Sequence, residues 1–342
     1  MGGALTLVTG ATGFVGTRLV KALLERSRSV RGFAHTANPQ AASPESGSSF
    51  ELIRGDLLDA DSVDRAVGGC ETVFHCGAVV PGRDSEERTW AVNVTGTAHV
   101  VDACVRHGVR RLIYVSTDSV YGDGPTVDAT EDSPLSTDYF KEGNYPLSKL
   151  EGERLVQRAA KEHRLDTVML RPCMIYGPGP SPATELFAEW SSKRVKYLLG
   201  SGRSRLSVLY VDDLVEALLL AETAPRASGQ CFNVSDGQVY AKREIVDRLV
   251  ALCGRPTVVV SVPGPPLQTA FTMLQPIARL VAPALAAGVD VRRVLFAIQD
   301  HTINCGKAID VLGYRPKVLL PEGLARTVAW LTQHPAGGSR AH

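Results

Sequence analysis

A phenol and an ammonium four residues apart are the first groups in this sequence equipped for chemistry. Tyr145 and Lys149, in Tyr145-Pro-Leu-Ser-Lys149, fall one turn apart on one face if the segment is helical. Leu150, Leu155, Val156 and Ala159 then predict the buried side of that helix. A free phenol titrates at about 10, so Tyr145 is a base at neutral pH only beside positive charge, and Lys149 is the candidate to supply it. By itself this spacing is common on solvated helix faces. Hydroxyls at Ser116, Thr117, Ser119 and Tyr121 follow the strand-like run Arg111-Leu-Ile-Tyr-Val115. In a parallel sheet they would reach the carboxyl edge, where ligands bind and where a hydroxyl, a phenol and an ammonium can converge.

The elements that must position these groups begin at the N-terminus. Leu5-Thr-Leu-Val-Thr-Gly10-Ala-Thr12-Gly13-Phe14-Val15-Gly16 reads as a strand, a tight turn and the start of a helix with apolar residues at 15, 19, 20, 23 and 24. Its G-x-x-G-x-x-G spacing brings bare amides of a helix N-terminus to where a pyrophosphate can approach, the mark of a dinucleotide-binding fold. Glycine repeats alone are weak; the flanking strand and helix confirm the context. After the second strand, the place usually held by an acid that reads the ribose is Ala34, followed by His35. The missing carboxylate leaves His35 or Arg31 to contact a 2′-phosphate, or both are solvated, so the reading is NADP or NAD with a lean to NADP. Asp56 and Leu57 follow the third strand, where an acid can meet the adenine amino group. Cys76, Gly77 and Ala78 follow the fourth, where small residues permit backbone contact with a cofactor.

Apolar runs near 4–9, 29–34, 50–54, 72–76, 110–116, 165–171 and 231–234 alternate with helical periods, as in βαβ units. The expected fold is α/β, a doubly wound parallel sheet with a smaller, discontinuous C-terminal substrate domain. Residues 1–175 plus about 208–235 form the first domain, 176–207 and 236–334 the second, and 335–342 a tail; residues 36–49 read as a loop.

With 342 residues, 44% hydrophobic, 21% charged and a net charge of +1, nothing marks a nucleic-acid partner. Seven cysteines without C-x-x-C spacing, and no basic and apolar leader, predict reduced thiols in a cytosol; no metal is expected. The expected partner is a small molecule, with a homodimer left open.

TGATGFVG at 9–16, NVTGT at 93–97, VSTDSVYG at 115–122, YPLSK at 145–149, RPCMIYGPG at 171–179, YVDDLVEA at 210–217 and LGYRPKVLLPEGLARTVAWL at 312–331 together resemble the extended short-chain dehydrogenase/reductase superfamily almost end to end. The resemblance implies Tyr145 as general acid/base, Lys149 as its electrostatic partner and ribose ligand, and Thr117 as the hydroxyl polarising the substrate oxygen, with Ser116 the alternative. It places Pro172 at the cofactor and Asn93 in the site's wall, although Asn93 equally suits a cap for the following helix. The similar nucleotide-sugar 4,6-dehydratases carry an Asp-Glu pair after the threonine. Here it is Asp118-Ser119, which puts dehydration in doubt.

Two further departures select a branch. Where similar nucleotide-sugar enzymes place Arg-Asp before YVDD, this chain has Leu206-Ser207, with Arg203 and Arg205 earlier and Lys193, Arg194 and Lys196 nearby. From Pro256 to Val289 one charge, Arg279, stands among prolines that break any clean span; the segment reads as an apolar pocket wall, a membrane-surface contact or a buried lobe. Both features point to the branch similar to 3β-hydroxysteroid and sterol-4-carboxylate dehydrogenases, with an apolar ring alcohol or ketone as substrate. A nucleotide-sugar 4-epimerase or reductase is the alternative. A non-catalytic dinucleotide sensor is a third reading, against which Thr117, Tyr145 and Lys149 stand intact.

Overall fold

Why seven short apolar runs make one sheet is visible in their alternation. In Leu7-Val8, Val73-Phe74 and Leu112-Ile113 successive side chains are wholly buried on opposite faces, the demand of a parallel sheet covered on both sides. The computed structural model describes residues 4–35, 49–122, 124–136, 144–192, 195–254, 257–262 and 296–334. Most of the 36–49 loop, nearly all of 256–289, the 335–342 tail and the cations Lys193 and Arg194 therefore lie outside the described residues.

We label the strands of this sheet in chain order: β1 Leu5–Thr9, β2 Ser29–Ala34, β3 Phe50–Arg54, β4 Thr72–His75, β5 Arg111–Val115, β6 Asp166–Pro172 and β7 Gln230–Val234. All pair in parallel, in the order β3-β2-β1-β4-β5-β6-β7. The order reverses between β1 and β4, so their carboxyl ends open the crevice where such sheets take ligands. The helices are α1 Phe14–Glu25, α2 Ala60–Val67, α3 Glu86–Trp90, α4 Gly96–Arg106, α5 Asn144–His163, α6 Pro182–Ser192, α7 Val211–Thr223, α8 Lys242–Cys253 and α9 Leu320–Gln333. Leu19, Val20 and Leu23 of α1 share one core with Leu214, Leu218 and Leu219 of α7. Val63 and Val67 of α2, Val100 and Cys104 of α4 and Val156 of α5 build the other.

The other described strands form three smaller sheets. Thr126–Ala129, His301–Ile303, Arg205–Leu206 and Tyr240–Ala241 form a four-stranded sheet; Met174–Tyr176 pairs with Val208–Tyr210, and Val195–Leu199 with Val258–Val262. A third core joins Tyr176, Phe187, Tyr210, Tyr240, Leu249, Leu320 and Leu324. Thr126–Ala129, expected with the first domain, thus pairs with His301–Ile303, a strand expected in the second. No helix among the described residues is long and apolar enough to cross a membrane.

Candidate active site

The dinucleotide crevice is built by backbone. Gly10 follows β1 with φ +67°, and a Cβ there would stand 2.8 Å from Gly77 Cα and N, while one at Gly16 would overlap the Gly10 carbonyl. Gly13 caps α1 without a side-chain hydrogen bond, so Phe14 and Val15 begin the helix with amides that suit a phosphate. Arg18 lies over the Phe14 ring at 4.8 Å. Gly77 N donates to Thr9 Oγ1 (3.1 Å), Thr9 meets His75 Nδ1 (2.7 Å), and His75 Nε2 meets Thr97 Oγ1 (3.0 Å). This buried chain pins the ends of β1 and β4. Burial, aided by the Lys149 charge, pulls His75 down to about 3, so it is a neutral pin. Cys76 and Ala78 flank Gly77 on the same edge, with the Cys76 thiol pushed up to about 12 by burial against the pull of Lys149. These features fit a dinucleotide: a bulkier residue at Gly10 or Gly16 would collide with Gly77 or with Gly10 itself and push apart the tight turn that brings the first amides of α1 to the crevice.

At the expected adenosine end, Ala34 is buried and His35 is exposed, its Nδ1 3.4 Å from Asp56 Oδ2. Arg88, from α3, reaches the same oxygen at 3.3 Å, and Leu58 N donates to Asp56 Oδ1 at 2.9 Å. Burial raises the Asp56 carboxyl, but the Leu58 amide, Arg88 and His35 outweigh it and leave the pKa lowered. Arg31 needs correcting as a candidate for a 2′-phosphate. Its guanidinium is taken by Glu51 (3.0 Å) and by the Ala66 and Gly68 carbonyls (2.9 and 2.7 Å) around the end of α2. Leu57 accepts from His99 Nδ1 (2.8 Å) and approaches Gly77.

The chemical groups meet beside this crevice. The first turns of α5 carry Tyr145 and Lys149 four residues apart, and Thr117 is the neighbour whose hydroxyl pulls the phenol's titration down. Ser116 and Thr117 leave β5 extended, so their side chains part. Ser116 Oγ donates to Glu153 Oε1 at 2.6 Å, and Thr117 is left on the side of Tyr145. The Thr117 hydroxyl also donates to Ser119 Oγ (3.1 Å) and accepts from Ser119 N (3.2 Å). Asp118 adjoins it, its carboxyl pushed up to about 7 by burial against the Thr117 hydrogen bond.

The expected charge relation between Lys149 and Tyr145 is different. Burial pushes the Tyr145 phenol up to about 12, with Thr117 pulling it down and Asp118 pushing it further up. Lys149 Nζ sits 4.1 Å over the Tyr114 ring, and burial draws it down to about 7 against the opposing pull of Glu153 and Cys76. The protein alone thus keeps the phenol protonated at neutral pH, and a base there needs a further positive charge.

Asn93 does not cap α4. It lies in the π-helical turn Ala91–Thr95 that runs into α4, accepts from Val79 N (2.8 Å), and donates to Val79 O and Ser148 Oγ (3.0 Å each). It therefore ties the loop after β4 to α5. Pro172 ends β6 opposite Val234, on the same edge of the sheet.

On the substrate side, Leu206 and Ser207 are buried, and Ser207 Oγ accepts from Ile303 N (3.2 Å) within the small sheet. Arg205 is drawn to Asp300 (2.8 Å) and Arg203 is exposed. Lys196 is buried with no partner for its ammonium among the described residues, and burial pulls it down from its ordinary range.

Sequence reasoning missed Glu153 and the role of Arg171. Arg171 makes two hydrogen bonds to Glu153 (2.8 and 2.6 Å) and a third to Tyr121 OH (2.9 Å), all at the floor of the site. The signal was available, since Glu153 follows Lys149 by the same four residues that separate Lys149 from Tyr145.

Comparison with known proteins agrees with this geometry. Residues 6–235 match the model of the NAD dependent epimerase/dehydratase family. A 2-alkyl-3-oxoalkanoate reductase of Stenotrophomonas maltophilia is 32% identical, covering 94% of this chain and 98% of that one. A 3 beta-hydroxysteroid dehydrogenase/Delta 5-->4-isomerase of Mycobacterium tuberculosis is 30% identical over 95% of this chain and 89% of its own. The structure of MoeE5 with UDP-glucuronic acid and NAD superposes with a TM-score of 0.77 at 25% identity, covering 96% of this chain and 99% of that one. A glycine cradle at the switch point, a Thr-Tyr-Lys cluster beside it and a family match across both make this chain a member of the NAD dependent epimerase/dehydratase family, an NAD(P)-dependent enzyme of the extended short-chain dehydrogenase/reductase type.

Proposed function

We propose that the enzyme interconverts a secondary alcohol and a ketone on a hydrophobic ring substrate, in the manner of a 3β-hydroxysteroid or sterol dehydrogenase. The observation that carries this reading is the fate of the diphosphate position: Leu206 and Ser207 are packed into the small sheet, and Arg205 is turned to Asp300. A diphosphate needs several cationic or amide donors, whereas apolar walls hold a ring system by about 25 cal/mol per Å² removed from water. The names of two relatives, an oxoalkanoate reductase and a hydroxysteroid dehydrogenase, lie in the same direction.

Gly10, Thr12, Gly13, Phe14, Val15 and Gly16 would hold the phosphates, Asp56 and Leu57 the adenosine end, and Cys76, Gly77, Ala78 and Pro172 the wall toward the nicotinamide. A bound dinucleotide supplies or accepts hydride and, when oxidised, adds a positive charge to the site. In reduction, Thr117 donates a hydrogen bond to the carbonyl oxygen, and the Tyr145 phenol gives that oxygen its proton as the carbon gains hydride. In oxidation the proton returns to Tyr145, and Lys149 holds the ribose and stabilises the phenolate. The absent 2′-hydroxyl carboxylate at Ala34 favours acceptance of NADP(H) alongside NAD(H).

The second reading, a nucleotide-sugar 4-epimerase or reductase, has in its favour the ammonium of Lys196, which has no partner among the described residues, and the likeness to a structure named for UDP-glucuronic acid. A panel assay of hydroxysterols, ketosteroids and UDP- or dTDP-sugars, following nicotinamide absorbance and epimer formation, separates the two. Turnover of a sterol or ketosteroid is expected. Conversion of a sugar-nucleotide with none of any hydrophobic alcohol replaces the first reading with the second.

A further inference from the structure

The face of α5 that carries Tyr145 and Lys149 continues one turn further to a carboxylate sealed from water. Glu153 is 1% exposed and Arg171 3%. Their paired hydrogen bonds measure 2.8 and 2.6 Å, and Glu153 Oε1 also takes the Ser116 hydroxyl at 2.6 Å. Arg171 extends the chain to Tyr121 OH (2.9 Å), and Tyr121 donates to Asn233 Oδ1 (2.7 Å). Asn233 closes it, taking Glu131 Oε1 on its backbone amide (2.7 Å) and giving its side-chain amide to Ala129 O (2.9 Å). One connected set of charge-assisted bonds thus grips α5, the end of β5 on both sides of Thr117, the turn Asp118–Tyr121, β6 and β7. Replacing such a pair by apolar residues is often neutral for stability, so a buried pair adjoining the reacting groups invites a role other than holding the fold.

We propose that Glu153, clamped by Arg171, is a positioning residue. Through Ser116 it sets where the Thr117 hydroxyl stands relative to Tyr145, and its charge, one turn along the same buried helix face, favours the ammonium form of Lys149. A nearby anion offsets the burial of that ammonium most strongly, and the Tyr114 ring face, 4.1 Å away, adds a smaller share. Among the described residues, the groups that face Lys149 are Glu153 on its own helix, Cys76 and the neutral His75 at the end of β4, and the Tyr114 ring on β5. Glu153 leads the groups that hold its charge up, and Cys76 follows with a thiol that burial keeps protonated. Arg171, its own positive charge secured by Glu153, is the cation that keeps this carboxylate in place.

The kinetic half of the test rests on the proposed oxidoreductase reading; the other half does not. In full-length protein with ¹³C-labelled lysine, the Lys149 signal, assigned with Lys149→Arg, is titrated by NMR in wild type, Glu153→Gln and the control Glu151→Gln. Glu151 is on the same helix and pairs with Arg154 at the surface. Glu153→Gln is expected to move the Lys149 midpoint to lower pH, and the control to leave it in place. An unmoved midpoint in folded Glu153→Gln overturns the electrostatic half. Ser116→Ala, which removes one hydrogen bond and leaves the ion pair, covers the case in which Glu153→Gln does not fold. On any carbonyl compound that the wild type reduces, it is expected to lower kcat by about 10²-fold with KM and dinucleotide Kd unchanged. Wild-type kcat in Ser116→Ala overturns the geometric half. Absence of any sterol or ketosteroid turnover by the wild type counts against the proposed substrate and leaves the Lys149 titration to decide on Glu153.

Discussion

The two sides of the crevice are made of different material. The dinucleotide side is backbone: Gly10 lies against Gly77, Gly16 under the Gly10 carbonyl, and the uncapped turn of α1 beside them. The side we propose for the substrate, the described residues of 174–210, 240–262 and 301–303, brings together side chains from distant parts of the chain, as Leu206, Tyr240 and Leu320 meet in one core. A surface of backbone amides accepts one ligand shape and tolerates little change. A surface of side chains can exchange its specificity while the fold stays, which is how relatives named for an oxoalkanoate, a hydroxysteroid and a UDP-sugar share this architecture.

The contrast breaks most visibly at the groups that belong to neither side. Tyr145→Phe removes the proton donor without touching the glycine cradle, so turnover is expected to fall about 10²- to 10⁴-fold while dinucleotide Kd is retained. Lys149→Met is expected to follow it with some loss of cofactor affinity. Steady-state kinetics and a fluorescence titration check both; wild-type turnover in Tyr145→Phe removes the proposed mechanism.

Next in size is the backbone half itself. Gly10→Ala places a Cβ at φ +67° against Gly77, a strain of about 1 to 3 kcal/mol. Dinucleotide affinity should drop and the unfolding midpoint with it, whereas Arg203→Ala, on the exposed substrate-side loop, should leave both alone. If Gly10→Ala binds dinucleotide as wild type does, close backbone approach is not what defines this half.

A smaller effect follows from the pin between β1 and β4. Folded His75 stays neutral down to about 3, whereas an unfolded imidazole takes up a proton below 6.5. Between these values the unfolded state binds more protons, so stability is whole above 6.5 and declines as pH falls toward 3. The slope approaches about 1.4 kcal/mol per pH unit for this one group. Urea unfolding at a series of pH values should show a shallower decline for His75→Asn; equal slopes would mean that His75 is protonated in the fold.

The smallest effect concerns the adenosine end, where backbone gives way to side chains. Calorimetric titration is expected to show NADP(H) bound at least as well as NAD(H), with His35→Ala weakening NADP(H) only. A strong preference for NAD(H) would show that the Asp56, His35 and Arg88 cluster reads the 2′-hydroxyl.

The readings that survived contact with the structure are those where chemistry acts over a few residues. The seven runs read as strands became the seven strands of one sheet, because the inner strands, buried on both faces, carry a near-continuous apolar signature, and the half-exposed edge strand β3 keeps Phe50, Leu52 and Ile53. Gly10, Gly13 and Gly16, and the Tyr145 and Lys149 pair, were likewise visible as spacing. Arg31 was misjudged because its partners, Glu51 and the carbonyls around the end of α2, are 20 to 37 residues away. The cap expected at Asn93 failed because a π-helical turn carries the chain straight into α4.

By itself, then, the sequence determined the α/β class, the glycine cradle and the phenol and ammonium on one helical turn, since local period and steric need write these into neighbouring residues. Only the tertiary structure decided that Ser116 turns to Glu153 while Thr117 meets Tyr145, that Lys149 lies over Tyr114, and that Arg205 answers Asp300. These pairings span up to about a hundred residues. At Ser116, Glu153 and Lys149 burial turns an ordinary charge or hydroxyl into one that must find a partner, and which partner it finds depends on how the strands are ordered in space.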